Sequence, residues 1–155
     1  MKTLKELLYK VAINAVSGST ERPISGVTAD SRNCGEGSLF VAIKGGLIDG
    51  HQFIDQVLEK GVVAVLCQHL PETLKEGITY IQTDNTRAAL SRVASNWFDN
   101  PSASVKVVGI TGTNGKTSVA TLLYETVRLM GYDAGLVSTI KICYGDQVFN
   151  ATHTT

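Results

Sequence analysis

Along the first hundred positions the apolar residues follow two kinds of pattern. Short continuous apolar segments predict strands, and apolar residues at helical spacing predict helices. A nearly continuous apolar run of strand length predicts a strand at residues 38–43, and a second apolar run predicts a buried strand at 62–66. Residues 24–29 and 78–81 are also predicted to be strands. Apolar residues that recur every three or four positions predict a short first helix on Leu4, Leu7, Leu8 and Val11 and a second helix over 53–58, which Gly61 ends.

A third helix is predicted after residue 84, with Asp84 or Asn85 as its cap. Its expected core face is Ala89, Leu90, Val93, Ala94, Trp97 and Phe98. The segment 100–104, Asn-Pro-Ser-Ala-Ser, stops this helix and is predicted to be a linker. Strands alternating with helices indicate a compact α/β unit. We therefore predict two domains, at residues 1–102 and 103–155.

The second part of the chain begins with an apolar run at 107–110, which predicts a buried strand before a glycine-containing loop. A helix is predicted over 116–130, facing inward through Val119, Leu122, Leu123, Val127 and Met130, with Gly131 after it. A strand at 134–138 and a hairpin turned by Gly145-Asp146 follow. A phosphate-loop domain needs more strands than these, so we expect a complete first domain and the opening of a second.

The loop itself carries the candidate chemistry. It reads Gly112-Thr113-Asn114-Gly115-Lys116-Thr117-Ser118, a G-x-x-G-K-T form in which Ile110 stands where the longer standard pattern has its first glycine. Glycines let backbone N–H groups close around phosphate oxygens, and the following helix start adds its positive dipole end. Lys116 would place its charge on the terminal phosphates, and the Thr117 hydroxyl would be a ligand of a Mg²⁺ ion. A glycine-rich turn with a solvated lysine is the plain alternative.

Composition and charge exclude several classes of protein. The 14 basic and 14 acidic residues give a formal net charge of zero, and their scatter argues against a nucleic-acid surface. No apolar run approaches the ~20 residues of a membrane span, and the start of the chain lacks a signal-peptide pattern. Three widely spaced cysteines and three scattered histidines indicate a reducing cytoplasm and no zinc site.

The loop resembles the nucleotide loop of the Mur ligase family, the ATP-dependent amide-forming enzymes of bacterial cell-wall precursor synthesis; folylpolyglutamate synthases share a similar loop. Stretches 28–32, 37–42 and 49–54 are similar to the N-terminal domain of the MurE and MurF branches, which holds the uridine diphosphate end of the precursor. Thr113-Asn114 in the loop and the closing Thr154-Thr155 favour the MurE branch.

The resemblance implies an α/β fold in which a small UDP-binding domain precedes the strand–loop–helix–strand opening of an incomplete ATP-binding central domain. It implies that ATP is bound by Gly112, Thr113, Asn114, Gly115, Lys116, Thr117 and Ser118, with Lys116 catalytic and Thr117 a Mg²⁺ ligand. It further implies that the UDP-MurNAc-peptide substrate contacts Ser31, Thr154 and Thr155, together with Ala29, Gly46, Leu47, Ile48 and His153.

The implied reaction adds meso-diaminopimelate or L-lysine to UDP-MurNAc-L-Ala-D-Glu through an acyl phosphate, at the expense of ATP, in the cytoplasm. The partners are therefore small molecules, without nucleic acid or membrane, and the oligomeric state stays open. We expect the 155-residue chain alone to bind the uridine nucleotide weakly and to catalyse nothing. The alternatives are a MurF-type ligase, a phosphate-loop NTPase or kinase, and a nucleotide-sugar-binding module without catalysis.

Overall fold

The computed structural model describes residues 1–46 and 48–151. The chain forms two compact units, Met1–Lys106 and Val107–Thr155. The first unit contains a five-stranded sheet, a two-stranded sheet and two apolar clusters, whereas the second contains a three-stranded sheet and one apolar cluster, so each unit is described by itself. The assignment of residues 1–102 to substrate binding and of residues 103–155 to ATP binding stays a prediction, because it concerns what each part binds.

The first unit is built on a five-stranded sheet. The strands of this unit are β1 (Lys2–Thr3), β2 (Ala15–Ser17), β3 (Pro23–Ile24), β4 (Val27–Thr28), β5 (Leu39–Val41), β6 (Ala64–Cys67) and β7 (Thr79–Gln82). The main sheet has the order β2-β7-β6-β5-β4, with β4 to β7 parallel and β2 antiparallel at one edge. Parallel strands with helices against them define the α/β class, so the predicted fold class is confirmed.

Helices cover both faces of this sheet. The helices are α1 (Leu4–Leu7), α2 (Ile54–Glu59) and α3 (Thr86–Trp97). Alternate residues of β5 point to opposite faces: Leu39 and Val41 pack in the cluster with α1 and α3, whereas Phe40 packs in the cluster with α2. Strands buried on both faces need nearly continuous apolar sequences, which explains the runs at β5 and β6.

Helix α3 begins where its sequence predicts, but its predicted core face extends one residue too far. The Asn85 side chain caps it by accepting a hydrogen bond from the N–H of Ala88 at 3.0 Å. Buried Asn96 donates to the carbonyls of Leu7 and Tyr9, at 2.9 and 2.8 Å, and so ties α3 to the end of α1. The prediction of Phe98 in the core is wrong: its side chain is 67% exposed, because the helix ends at Trp97.

The predicted single strand at 24–29 is also wrong. Ile24 belongs to β3, which pairs with β1 in a separate two-stranded sheet, whereas Val27 and Thr28 form β4 beside β5. Between them the N–H of Ser25 bonds to the carbonyl of Gly37 at 2.9 Å. The chain therefore changes pairing partner within the segment, which a single straight strand cannot do.

The second unit contains α4 (Lys116–Leu129), β8 (Gly135–Val137), β9 (Lys141–Tyr144) and β10 (Gln147–Asn150). The three strands form an antiparallel sheet in the order β10-β9-β8. Tyr144 pairs directly with Gln147, so Gly145-Asp146 is a two-residue hairpin turn, and Gly145 has the positive φ of +56° that a type II′ turn needs at its first position. No helix in the described parts of the chain is both long and apolar enough to cross a bilayer.

Two predictions for this unit are wrong. Residues 107–110 form no strand, and Val107 and Val108 are 71% and 67% exposed, because no described strand pairs with them. The expected inward face of α4 is largely exposed as well, at Val119, Leu122, Leu123 and Met130. The sheet packs instead against the side of α4 that carries Ala120 and Tyr124.

Candidate functional site

The glycine-rich loop leads directly into α4. Gly115 is the cap of this 14-residue helix and has a left-handed backbone with φ +77°, a conformation that glycine adopts without steric cost. Gly112 has φ +153°, again a value that side-chain-bearing residues rarely adopt. The two glycines thus permit the bends that set the loop at the head of the helix, where unpaired backbone N–H groups and the helix dipole favour an anion.

Lys116 folds back over this loop. Its ammonium group donates to the carbonyl of Gly112 at 2.7 Å and to that of Thr113 at 3.3 Å. Gly112, Thr113, Asn114, Gly115, Lys116 and Ser118 are all exposed, so six of the seven predicted ATP-contacting residues are open to solvent. A positive charge is therefore held beside the loop amides, and the bonds that hold it are ones that phosphate oxygens can replace.

Thr117 is the loop residue that is partly buried. Its hydroxyl lies 3.3 Å from the hydroxyl of Thr139, so two oxygens of the type that Mg²⁺ accepts lie together. Within the described residues no group of three or more His, Cys, Asp or Glu side chains could hold a metal ion. The Thr117 hydroxyl therefore fits one ligand position of a Mg²⁺ ion that phosphate oxygens would also bind.

Ser31 lies in a tight turn at the carboxyl end of β4. The Asp30 carboxylate accepts a hydrogen bond from the backbone N–H of Arg32 at 2.9 Å. It also accepts one from the Arg32 Nε at 2.9 Å and one from Nη2 at 2.7 Å. These hydrogen bonds to Arg32 lower the pKa of Asp30 to about 2. The Lys60 ammonium donates to the Ser31 carbonyl at 2.7 Å. The turn that presents half-buried Ser31 is thus fixed from two sides, while neighbouring Ala29 is exposed.

The connection after β5 forms a small closed loop, which we call the 44–49 loop. Its base is an antiparallel bridge between Lys44 and Asp49, and the N–H of Gly45 bonds to the carbonyl of Ile48 at 2.9 Å. Gly46 and Ile48 are exposed at its tip. Four predicted substrate contacts, Leu47, His153, Thr154 and Thr155, lie outside the described residues.

Sequence reasoning missed the side chains that support these segments. His51 bonds to Asp49 and to the backbone of Gln68, and Lys60 holds the Ser31 turn. The stretch Asp49-Gly50-His51 was a usable signal for the first, whereas nothing in the sequence links Lys60 with Ser31. The Ser31 turn, the 44–49 loop and Gln68 all follow the carboxyl ends of neighbouring parallel strands, the edge at which open α/β sheets commonly bind ligands.

The class of protein follows from a comparison with known proteins. The family described as "Mur ligase family, catalytic domain" matches residues 23–98. Over 153 residues the chain is 46% identical to a UDP-N-acetylmuramoyl-L-alanyl-D-glutamate--2,6-diaminopimelate ligase of Cytophaga hutchinsonii, a match that covers 98% of this chain and 32% of that relative. The chain belongs to the Mur ligase family, and the predicted resemblance is confirmed.

Solved structures show the same architecture. A UDP-N-acetylmuramoyl-L-alanyl-D-glutamate--2,6-diaminopimelate ligase matches 99% of this chain and 30% of its own with a TM-score of 0.68 and 20% identity, which shows a shared fold. A MurF ligase from Thermotoga maritima in complex with ADP matches 66% of this chain and 23% of its own, with a TM-score of 0.52 and 28% identity. The chain spans about a third of the length of the curated relatives that it matches.

Proposed function

We propose that this chain is part of an ATP-dependent ligase that adds meso-diaminopimelate to UDP-MurNAc-L-Ala-D-Glu. The observation that carries the proposal is the loop at 112–118 that opens α4, in a chain 46% identical to a relative of that name. Because that relative is a diaminopimelate ligase, we propose diaminopimelate rather than L-lysine as the added amino acid. Since the chain spans about a third of that relative, the activity belongs to the longer protein.

The first unit is proposed to hold the uridine nucleotide end of the substrate. Ser31 and the tip of the 44–49 loop follow adjacent strands and lie at the same edge of the sheet. The Ser31 hydroxyl can donate to or accept from the nucleotide, and Ala29, Gly46 and Ile48, which are exposed residues, are proposed as further contacts. Leu47, His153, Thr154 and Thr155 complete the proposed substrate contacts.

The second unit is proposed to bind ATP through Gly112, Thr113, Asn114, Gly115, Lys116, Thr117 and Ser118. In the proposed reaction the γ-phosphoryl group passes to the substrate carboxylate, the amine of the incoming amino acid attacks the resulting acyl phosphate, and phosphate leaves. Such a transfer depends mainly on positioning and on neutralising charge. The loop amides and the Lys116 ammonium do this for the phosphate oxygens, and a bound Mg²⁺ held in part by Thr117 would add charge neutralisation.

A MurF-type ligase is the second candidate. The observation that favours it is the likeness to the MurF ligase solved with ADP, at 28% identity. The two candidates differ in the group that is added, so an assay of the full-length protein with diaminopimelate, lysine and D-alanyl-D-alanine as acceptors separates them. For either ligase we propose a cytoplasmic location, because the chain has three free thiols and the reaction consumes ATP.

The central test is Lys116→Ala in the full-length protein. We expect a loss of ligation of about a hundredfold or more, on the order of 3 kcal/mol, since the variant lacks a positive contact to the charge that develops on the phosphoryl group. Lys106→Ala is the matched control, because Lys106 is also exposed but lies outside the loop. Unaltered ligation by a Lys116→Ala protein with a normal melting curve would remove the loop from the reaction.

A further inference from the structure

Among the described residues, His51 connects two segments at the substrate edge of the first unit. Its Nδ1 atom lies 2.6 Å from Asp49 Oδ1, and its Nε2 atom lies 2.9 Å from the backbone nitrogen of Gln68. The imidazole is 15% exposed. Asp49 ends the 44–49 loop, and Gln68 follows β6, so one partly buried ring joins the loop to the neighbouring strand.

The bonding partners determine which nitrogen carries the proton. A backbone N–H can only donate, so Nε2 must be the acceptor and must be unprotonated. Nδ1 therefore carries the hydrogen and donates it to Asp49, whose carboxylate also accepts from the backbone N–H of His51 at 3.0 Å. Hydrogen bonds to that backbone N–H and to the ring lower the pKa of Asp49, which keeps it an acceptor.

The contacts on both sides of His51 make this connection rigid. Gln68 is itself anchored, since its side chain donates to the carbonyl of Asp84 at 2.8 Å and its carbonyl accepts from Gln82 at 3.0 Å. On the other side, Gly50 bonds to the carbonyl of Ile43 at 2.9 Å, and an added Cβ there would lie 2.8 Å from both the N and O atoms of Ile43. The base of the 44–49 loop is thus held closely, while Gly46 and Ile48 are exposed.

We propose that His51 is a positioning residue for the nucleotide substrate. Its neutral Nδ1–H form fastens Asp49 to the end of β6 and so positions the exposed residues Gly46 and Ile48 for the uridine end. This inference rests on the proposed function, because it assigns a nucleotide contact to the loop. His51 itself touches no substrate, since both ring nitrogens are engaged within the protein.

The kinetic test uses the full-length ligase with His51→Phe, which keeps a ring of similar size and removes both hydrogen bonds. We expect the KM for the UDP-MurNAc-dipeptide to rise about tenfold while kcat and the KM for ATP stay within about twofold, as the loss of one or two hydrogen bonds predicts. His51→Gln, whose carbonyl oxygen can accept from Gln68, should recover most of the affinity. His69→Phe is the matched control, because His69 is exposed and its ring centroid lies 6.0 Å from that of His51.

A second measurement needs no stable variant. Long-range ¹⁵N–¹H NMR of the 155-residue chain should show His51 as a single neutral tautomer, with the proton on Nδ1. An Nε2–H tautomer, or an averaged pair, overturns the inference. The inference is also overturned if the His51→Phe protein binds the nucleotide normally. It is equally overturned if kcat falls and both KM values rise to a similar extent. A wild-type ligase that does not use the uridine substrate refutes the proposed function instead, and that failure is visible before any variant is made.

Discussion

Two charged side chains near the candidate sites, Lys116 and Asp30, bond to the backbone close to them in the sequence. Lys116 bonds to carbonyls three and four residues before it, and the Asp30 carboxylate bonds to the backbone N–H two residues after it. Such short-range contacts need little from the rest of the fold, so they are expected to form whenever the turn forms. Lys116 is the catalytic candidate of the ATP loop, whereas Asp30 shapes the turn that presents Ser31.

Asp30 gives a pH-dependent prediction. Its pKa in the folded protein is about 2, below the ordinary value of 3.8, because Arg32 bonds to the ionised form. The stabilisation is therefore complete above about pH 4 and is lost as the pH falls through the folded pKa. Asp30→Asn keeps the cap to the Arg32 N–H but removes the ion pair. The wild type should therefore have the higher free energy of unfolding near pH 6, and this stability gap should shrink to nearly zero by about pH 2.

Urea unfolding of both proteins across this range measures the gap. Arg32→Gln is the partner control, because it removes the same ion pair from the other side and should give the same pH profile. A gap of constant size down to about pH 2 would mean that Asp30 acts through its shape and hydrogen bonding alone.

At the scale of elements, the edge of the main sheet depends on a close approach of two backbones. Gly18 follows β2 and has φ +108°, and an added Cβ would lie 2.9 Å from the carbonyl oxygen of Ile78 and from Thr79. The Thr79 hydroxyl bonds to the carbonyl of Ser19 at 2.7 Å, which fixes this approach. The antiparallel pairing of β2 with β7 thus requires glycine at this position.

We expect Gly18→Ala to lower the free energy of unfolding by about 1–3 kcal/mol, because alanine disfavours the backbone conformation at this position and its Cβ would clash with its neighbours. Gly35→Ala is the matched control, because Gly35 has no atom within 4 Å of an added Cβ and no positive φ. Urea denaturation followed by circular dichroism measures both variants. Equal stability of the two would show that β2 can move away from β7 without cost.

At the scale of the whole molecule, the two units differ in how much apolar surface they bury. The first contains two apolar clusters, one on each face of the five-stranded sheet. The cluster of the second consists of Tyr124, Leu136 and Cys143 with two alanines packed against it. Large side chains such as Leu122 and Met130 are 69% and 66% exposed there. Burial of apolar surface is the main source of folding free energy.

We therefore expect residues 1–106 by themselves to unfold cooperatively, and residues 107–155 by themselves to lack a cooperative transition. Urea titration of each fragment, followed by near-ultraviolet and far-ultraviolet circular dichroism, tests this expectation. A broad, non-cooperative transition in the 1–106 fragment would show that its two clusters do not suffice to stabilise the sheet.

Local pattern was enough for much of the architecture. The helices at 86–97 and 116–129, the buried strands β5, β6 and β7, and the hairpin at Gly145-Asp146 follow from periodicity, caps and turn chemistry, all of which act within a few residues. The strand expected at 107–110 and the core position of Phe98 failed for the opposite reason. Whether an apolar residue is buried depends on what lies beside it, and that is not a local property.

The sequence by itself determined the α/β class, the glycine-rich loop and the family. Only the tertiary structure brought Lys60 to Ser31 and His51 to Gln68, because those contacts join residues 29 and 17 positions apart along the chain. Their geometry depends on the order and register of β4, β5 and β6, which place the carboxyl ends of the strands side by side. Sheet order is a collective result of packing, so no single segment encodes it.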